Sequence, residues 1–284
     1  MTALEGLAAP RLSICQLCLP QTTFSEDLRL AAEVGYAGVS IDEGKLGPGH
    51  DAAKLDEFAR SGLLAAVCCP AVWSILPLTN FREPREPAAR IAAICAGIKR
   101  LAPFAPTTVF CATGSRGDRS DREARGIVIE GLKRICAVAD EVGVLLSLEP
   151  MTRESGVMID GPIVATIEEA LGLFADAGSE RSGLVVDVWH LWDSPRFLES
   201  LTKHAGRITA LQANDYREPR SARDRSMPGD GTSDVPRIFG ALERGGFRGW
   251  YDLEVFSDEL WQLPPREFMS RGAKAMRDCW RRQY

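Results

Sequence analysis

Short apolar runs alternate with longer amphipathic stretches along the whole chain, and this alternation limits the fold more than any other feature. The strand-like runs are Leu12–Leu17, Gly38–Ile41, Ala65–Cys69, Thr107–Cys111, Val144–Glu149, Leu184–Asp187, Ile208–Leu211 and Tyr251–Val255. They are short and apolar throughout, as strands are when helices cover both faces of a parallel sheet. Between them, apolar residues recur at three- and four-residue intervals over Ser25–Val34, Ala88–Ala102, Asp121–Val142, Thr166–Ala177, Pro195–Lys203, Val235–Glu243 and Arg266–Arg281. Thr166 and Glu169 have the spacing of a helix-opening capping box. Val34-Gly35, Val142-Gly143 and Arg244-Gly245-Gly246 each put glycine between a helix and the next strand. Eight such units in 284 residues give about 35 residues each, the size of one βα unit. A single (β/α)8 TIM barrel spanning residues 1–284 is the expected fold. A doubly wound sheet would carry a glycine-rich loop after its first strand, and Cys18-Leu-Pro-Gln-Thr-Thr23 has no glycine.

The net charge of −5 opposes nucleic acid as a partner, because phosphate binding needs a basic face. No apolar run reaches the roughly 18–20 residues that span a bilayer. Met1–Pro10 lacks a basic start followed by an apolar stretch, so the expectation is a cytoplasmic protein without a secretory signal. Most of the eight cysteines lie in apolar segments and read as reduced, buried thiols. Cys15-Gln-Leu-Cys18 has redox-motif spacing, but it lies in an expected strand and lacks a second pair to complete a zinc site.

The long irregular stretches Ala71–Pro87 and Asp215–Ser233 follow expected strands, on the barrel face where active sites form. Four consecutive strands end on polar side chains: Glu149, Asp187, Gln212 and Glu254. Their separations of 38, 25 and 42 residues are each about one βα unit, so the four should converge at the mouth. Three converging carboxylates repel one another and resist burial. A divalent cation removes the conflict, and an all-oxygen set suits Mn2+ or Mg2+, with Co2+ or Zn2+ as alternates.

These segments carry a resemblance. Leu148-Glu149-Pro150, Asp187-Val-Trp-His190, Gln212-Ala-Asn-Asp215, Arg225-Ser-Met-Pro228-Gly-Asp-Gly231 and Leu253-Glu254-Val255 resemble the sugar phosphate isomerase/epimerase group of the xylose-isomerase-like TIM-barrel superfamily. The resemblance implies that Glu149, Asp187, Gln212 and Glu254 are metal ligands, and that Glu149 and Glu254 also act as paired acid and base. It implies a substrate-binding role for His190, and for Arg225 a hold on substrate oxygens near the metal. Gln212 stands where relatives usually have His, a change that some lyase-type relatives share. Glu154 is the nearest counterpart of a further acidic residue in the epimerases. Self-association through barrel helices and rim loops is also implied.

Trp189 and Trp192 flank His190, and Trp73 and Trp261 lie in or near rim loops, where aromatic faces suit a sugar ring. Gly114-Ser-Arg-Gly117 could cradle an anion, and His50 and His204 read as surface residues. The expected activity is a metal-dependent isomerase or epimerase acting on a sugar or polyol-like hydroxy-carbonyl compound. It would work by carboxylate proton transfer through a metal-stabilised enediolate. A dehydratase of the inosose or dehydroshikimate type, or a non-catalytic sugar-binding accessory barrel, is the alternative. The three-zinc endonuclease site of the superfamily needs more than three histidines.

Overall fold

The computed structural model describes residues 9–79, 82–151, 161–218, 221 and 223–283. Seven parallel strands come first: β1 (Leu12–Cys15), β2 (Gly38–Asp42), β3 (Leu64–Cys69), β4 (Thr108–Ala112), β5 (Leu146–Glu149), β6 (Ser182–Asp187) and β7 (Ile208–Ala213). A short antiparallel pair, β8 (Asp215–Tyr216) and β9 (Arg225–Ser226), follows. The last strand, β10 (Trp250–Leu253), pairs with both β7 and β1 and closes an eight-stranded parallel barrel. The expected (β/α)8 barrel is therefore the observed fold class.

Helices fill the crossovers: α1 (Phe24–Val34), α2 (Asp51–Ser61), α3 (Pro87–Leu101), α4 (Asp121–Glu141), α5 (Ile167–Asp176), α6 (Val188–Leu191), α7 (Phe197–His204), α8 (Val235–Arg244) and α9 (Pro265–Arg282). Thr23 and Glu26 form a reciprocal capping box at the start of α1, and Gly35 ends it in the left-handed region at φ 86°. α2 is missing from the periodicity because Phe58 is its only buried residue. A helix that barely touches the core leaves little apolar pattern to detect. The Cys15–Cys18 segment also differs from expectation. β1 stops at Cys15, and Gln16–Cys18 form a 3-10 turn. All eight cysteines are free and buried.

One large apolar cluster lies between the barrel and its helices, and a smaller one of Ala66, Val67, Cys69, Phe110, Val185, Ala210 and Trp250 is separate from it. Trp250 is fully buried and donates its indole N–H to Thr107 Oγ1 at 2.9 Å. Gly38 makes room for the ring, since a Cβ there would lie 2.7 Å from it. Next to this packing runs a polar band in which Thr108 donates to Ser147 (2.7 Å), Ser147 pairs with Thr209 (2.9 Å) and Ser13 donates to Asp252 (2.6 Å). No helix among the described residues is long and apolar enough to cross a membrane.

The loop after β3 is fastened from α3. The buried Arg90 donates to Ser74 O and Oγ, both at 2.7 Å, and to the carbonyls of Glu83 and Pro84 at 3.2 and 3.0 Å. Trp250→Ala should lower the stability measured by urea unfolding by about 3–5 kcal/mol, because the cavity it leaves cannot collapse fully. The exposed Leu64 (55% accessible) is the control, with Leu64→Ser expected to change stability by less than about 0.5 kcal/mol.

Candidate metal centre and active site

Parallel pairing in register brings the four strand ends together. Ala112 pairs with Glu149, Asp187 with Gln212, and Gln212 with Asp252, two residues before Glu254. Glu149, Asp187, Gln212 and Glu254 are all at most 5% exposed. His190 joins them because the Asp187 carboxylate caps the next helix, accepting from Trp189 N at 2.9 Å. That turn brings His190 back over the barrel mouth.

His190 Nε2 lies 3.9 Å from Glu149 Oε1 and 3.8 Å from Asp187 Oδ2. One ligand atom from each of these three residues lies within 4.8 Å of the other two. Metal–ligand bonds of about 2.0–2.2 Å would draw such donors onto one ion with small adjustments. The other side of the cluster is held differently. Arg225 Nη1 donates to Asp187 Oδ2 at 2.9 Å and to Glu254 Oε2 at 3.0 Å. Gln212 Nε2 donates to Glu254 Oε1 at 2.7 Å, and Cys15 Sγ approaches the same oxygen at 3.7 Å. Gln212 Oε1 is buried and accepts no hydrogen bond among the described residues, as expected of an acceptor whose partner is a cation. The donor set therefore fits a divalent metal. Arg225 offsets one of the three carboxylates, and the two remaining negative charges match one M2+.

The electrostatics follow from burial. Burial first, then the charges of Glu254 and Asp187, push Glu149 well above the usual carboxylate range. Burial and then Asp187 raise Glu254 to about 8, against the pull of Arg225. Burial would raise Asp187 as well. Arg225 and His190, with the Asn214 and Trp189 donors, overcome it and hold that carboxyl below its ordinary value. Burial opposes the charge on Arg225, but Asp187 and Glu254 more than restore it, so its pKa is raised.

Asn214 lies in the Gln212–Asp215 motif but has no role assigned from sequence. It is fully buried and donates to Asp187 Oδ1 at 2.6 Å and to Glu254 O at 3.1 Å, while its Oδ1 accepts nothing among the described residues. The signal was available, because residues two apart on a strand share a face and Gln212 already pointed inward. Trp189 is fully buried, with its ring edge-to-face with His190 at 4.9 Å and the Arg225 guanidinium 4.8 Å above it. It braces those two groups. Trp192 is half-buried against Tyr216, Trp73 packs on Phe110, and Trp261 donates to Cys18 O at 2.8 Å.

In Gly114–Gly117 three amides already donate within the protein: Ser115 N to Pro77 O and Arg116 N to Gly161 O, both at 3.0 Å, and Gly117 N to Ser115 Oγ at 3.2 Å, which leaves little of an anion cradle. Gly114 instead allows close backbone contact, since a Cβ would lie 2.0 Å from Leu76 O. His50 is exposed, whereas His204 is half-buried 3.5 Å from Glu168. Glu154 lies outside the described residues.

A closed parallel barrel with an acidic, arginine-braced cluster at its C-terminal mouth defines a class of proteins built around a metal-type site on a TIM scaffold. The chain matches the family described as xylose isomerase-like TIM barrel over residues 28–279, and it belongs to that family. An inosose dehydratase of Geobacillus thermodenitrificans (strain NG80-2) is 26% identical over 148 residues, 46% of this chain. The match spans about half of that relative, 47% of its length. A protein of Sinorhizobium meliloti 1021 superposes with a TM-score of 0.83 at 23% identity, covering 95% of this chain and 98% of its own. The IolI protein with a binding zinc atom gives 0.79 at 19% identity, covering 96% and 99%. D-psicose 3-epimerase with D-tagatose from Clostridium cellulolyticum H10 gives 0.75 at 13% identity, covering 96% and 99%. At these identities the solved structures establish a shared fold.

The raised carboxyls set a pH dependence for the metal-free protein. Glu149, Glu254 (about 8) and Asp252 (about 7, raised chiefly by burial) keep protons that the unfolded chain has released. Unfolded carboxyls release theirs above about pH 4–4.5. The native state then binds more protons than the unfolded one, so stability falls as pH rises through this window. In EDTA, Tm should be higher at about pH 5.5 than at about pH 8. A Tm that rises over that interval would contradict the buried-proton account.

Proposed function

We propose that this protein is a divalent-metal-dependent isomerase or epimerase acting on a sugar or polyol-like hydroxy-carbonyl compound. The observation that carries this reading is the Glu149–Asp187–His190 cluster beside Glu254, with two carboxylate charges left over after Arg225. Glu149 and Asp187 would hold the ion. His190 Nε2 would complete it on one side, with Gln212 Oε1 and Glu254 on the other. The imidazole adds a nitrogen donor to an otherwise oxygen set, which suits Mn2+ and keeps Co2+ and Zn2+ within range of the site. When bound, such an ion polarises a substrate carbonyl and its neighbouring hydroxyl, making the adjacent C–H acidic.

The side chains supply the remaining steps. Glu254, ionised once the ion is bound, would take the substrate proton and return it. Glu149, at the end of β5, would be its partner in the proton transfer. Arg225 is placed to bind the oxygen that gains negative charge, and Gln212 and Cys15 keep Glu254 aimed. Return of the proton to the opposite face gives an epimer, and return to the neighbouring carbon gives an isomer. Loss of a hydroxyl instead gives a dehydratase. The partial match to an inosose dehydratase favours that second reading.

Chelated protein should regain turnover with Mn2+ on a panel of keto-sugars and keto-polyols. In D2O the product should carry carbon-bound deuterium. An unchanged product skeleton marks the isomerase, and a product lighter by one water marks the lyase. Glu254→Gln should lower kcat about 10³-fold while Mn2+ still binds. If no member of the panel gives chelator-sensitive turnover, the accessory-barrel reading replaces this one. Metal uptake should also release protons at pH 7, because Glu149 and Glu254 must ionise to bind. Mn2+ affinity should therefore fall as pH drops below about 8, which calorimetry in buffers of different ionisation enthalpy would detect.

A further inference from the structure

We propose that Asp215 is a positioning residue that holds Arg225 over the acidic cluster, an inference that rests on the metal-site reading above. Asp215 follows Asn214 in sequence but faces away from the metal cluster, as alternation along extended chain requires. It is 1% exposed, and five donors converge on its carboxylate. Oδ1 accepts from Tyr216 N (2.9 Å), Ser233 N (3.0 Å) and Ser233 Oγ (2.6 Å). Oδ2 accepts from Gly229 N (3.1 Å) and Gly231 N (3.0 Å). All five are backbone amides or a hydroxyl, an arrangement of oriented donors like a backbone nest.

These donors lie on both sides of Arg225 in the chain. Tyr216 begins the excursion, while Gly229, Gly231 and Ser233 end it, so the loop leaves and returns to one carboxylate. Between them, Tyr216 pairs with Arg225 and Asp215 with Ser226 across the β8–β9 ladder. Arg225 N also donates to Phe256 O at 2.9 Å. The guanidinium then sits 4.8 Å from the Trp189 ring and 4.7 Å from the Phe256 ring, with its Nη1 on Asp187 and Glu254. The glycines serve the same anchor. A Cβ on Gly231 would lie 2.1 Å from Tyr216 O and 2.4 Å from Asp215 Oδ1, and Gly229 takes φ +87°. The Pro228-Gly-Asp-Gly231 sequence is therefore what lets two amides reach Asp215.

The test labels arginines in the full-length, metal-free protein with phenylglyoxal and maps them by peptide mass. Arg225 and Arg90 are both 2% exposed, and Arg90 belongs to the loop after β3, so it reports general loosening. Asp215→Ala should raise the labelling rate of Arg225 by about tenfold or more through local opening, with Arg90 unchanged. Asp215→Asn, which keeps one acceptor oxygen, should fall between. If Asp215→Ala does not fold, Ser233→Ala removes one donor and should raise Arg225 labelling by a smaller factor. Unchanged Arg225 labelling in these variants overturns the proposal. So does a parallel rise at Arg225 and Arg90, which would make Asp215 a general fold residue. The readout needs neither substrate nor metal, so its failure is separable from failure of the proposed activity.

Discussion

Three carboxylates share a space from which water is largely excluded, and the rest of the barrel mouth is arranged around that repulsion. One arginine cannot neutralise them. Arg225 takes a contact from Asp187 and one from Glu254, while Glu149 keeps its raised pKa and faces His190. Arg225 and His190, with the Asn214 and Trp189 donors, hold Asp187 below its ordinary value, while Glu149 and Glu254 are pushed toward the protonated form. Environment thus holds one of three chemically similar acids as an anion and raises the other two in the metal-free protein.

The shell around these groups explains why the arrangement is specific. Asn214 fixes one Asp187 oxygen and the Glu254 carbonyl, leaving the other Asp187 oxygen toward Arg225 and His190. The Trp189 ring supports His190 and Arg225, while its backbone N–H donates to Asp187. Gln212 gives its amide N–H to Glu254, and its carbonyl oxygen accepts no hydrogen bond among the described residues. His190 supplies the imidazole from the next turn of chain.

Legibility in the sequence followed burial. Strands buried on both faces and long amphipathic helices such as Asp121–Glu141 leave strong periodic signals, and they were legible within a few residues. The strand-end acids were legible for the same reason, because βα spacing alone brings Glu149, Asp187, Gln212 and Glu254 to one rim. Features held by local hydrogen bonds were not. The 3-10 turn at Gln16–Cys18 has the composition of a strand, α2 buries a single phenylalanine, and β8–β9 pairs only two residues per strand. The resemblance implies a substrate contact for His190, whereas its proximity to two carboxylates depends on how Asp187 caps α6.

By itself the sequence determined the barrel, the rim on which the acids gather, and the excess of negative charge there. These depend on periodicity and spacing, which are one-dimensional properties. Tertiary structure decided the pairing: which carboxylate Arg225 answers, which keeps a proton, and which donors Asp215 collects from a loop that returns to it. Those choices depend on distances of about 3 Å between residues tens of positions apart, and Coulomb and hydrogen-bond energies change steeply over such distances in a buried site.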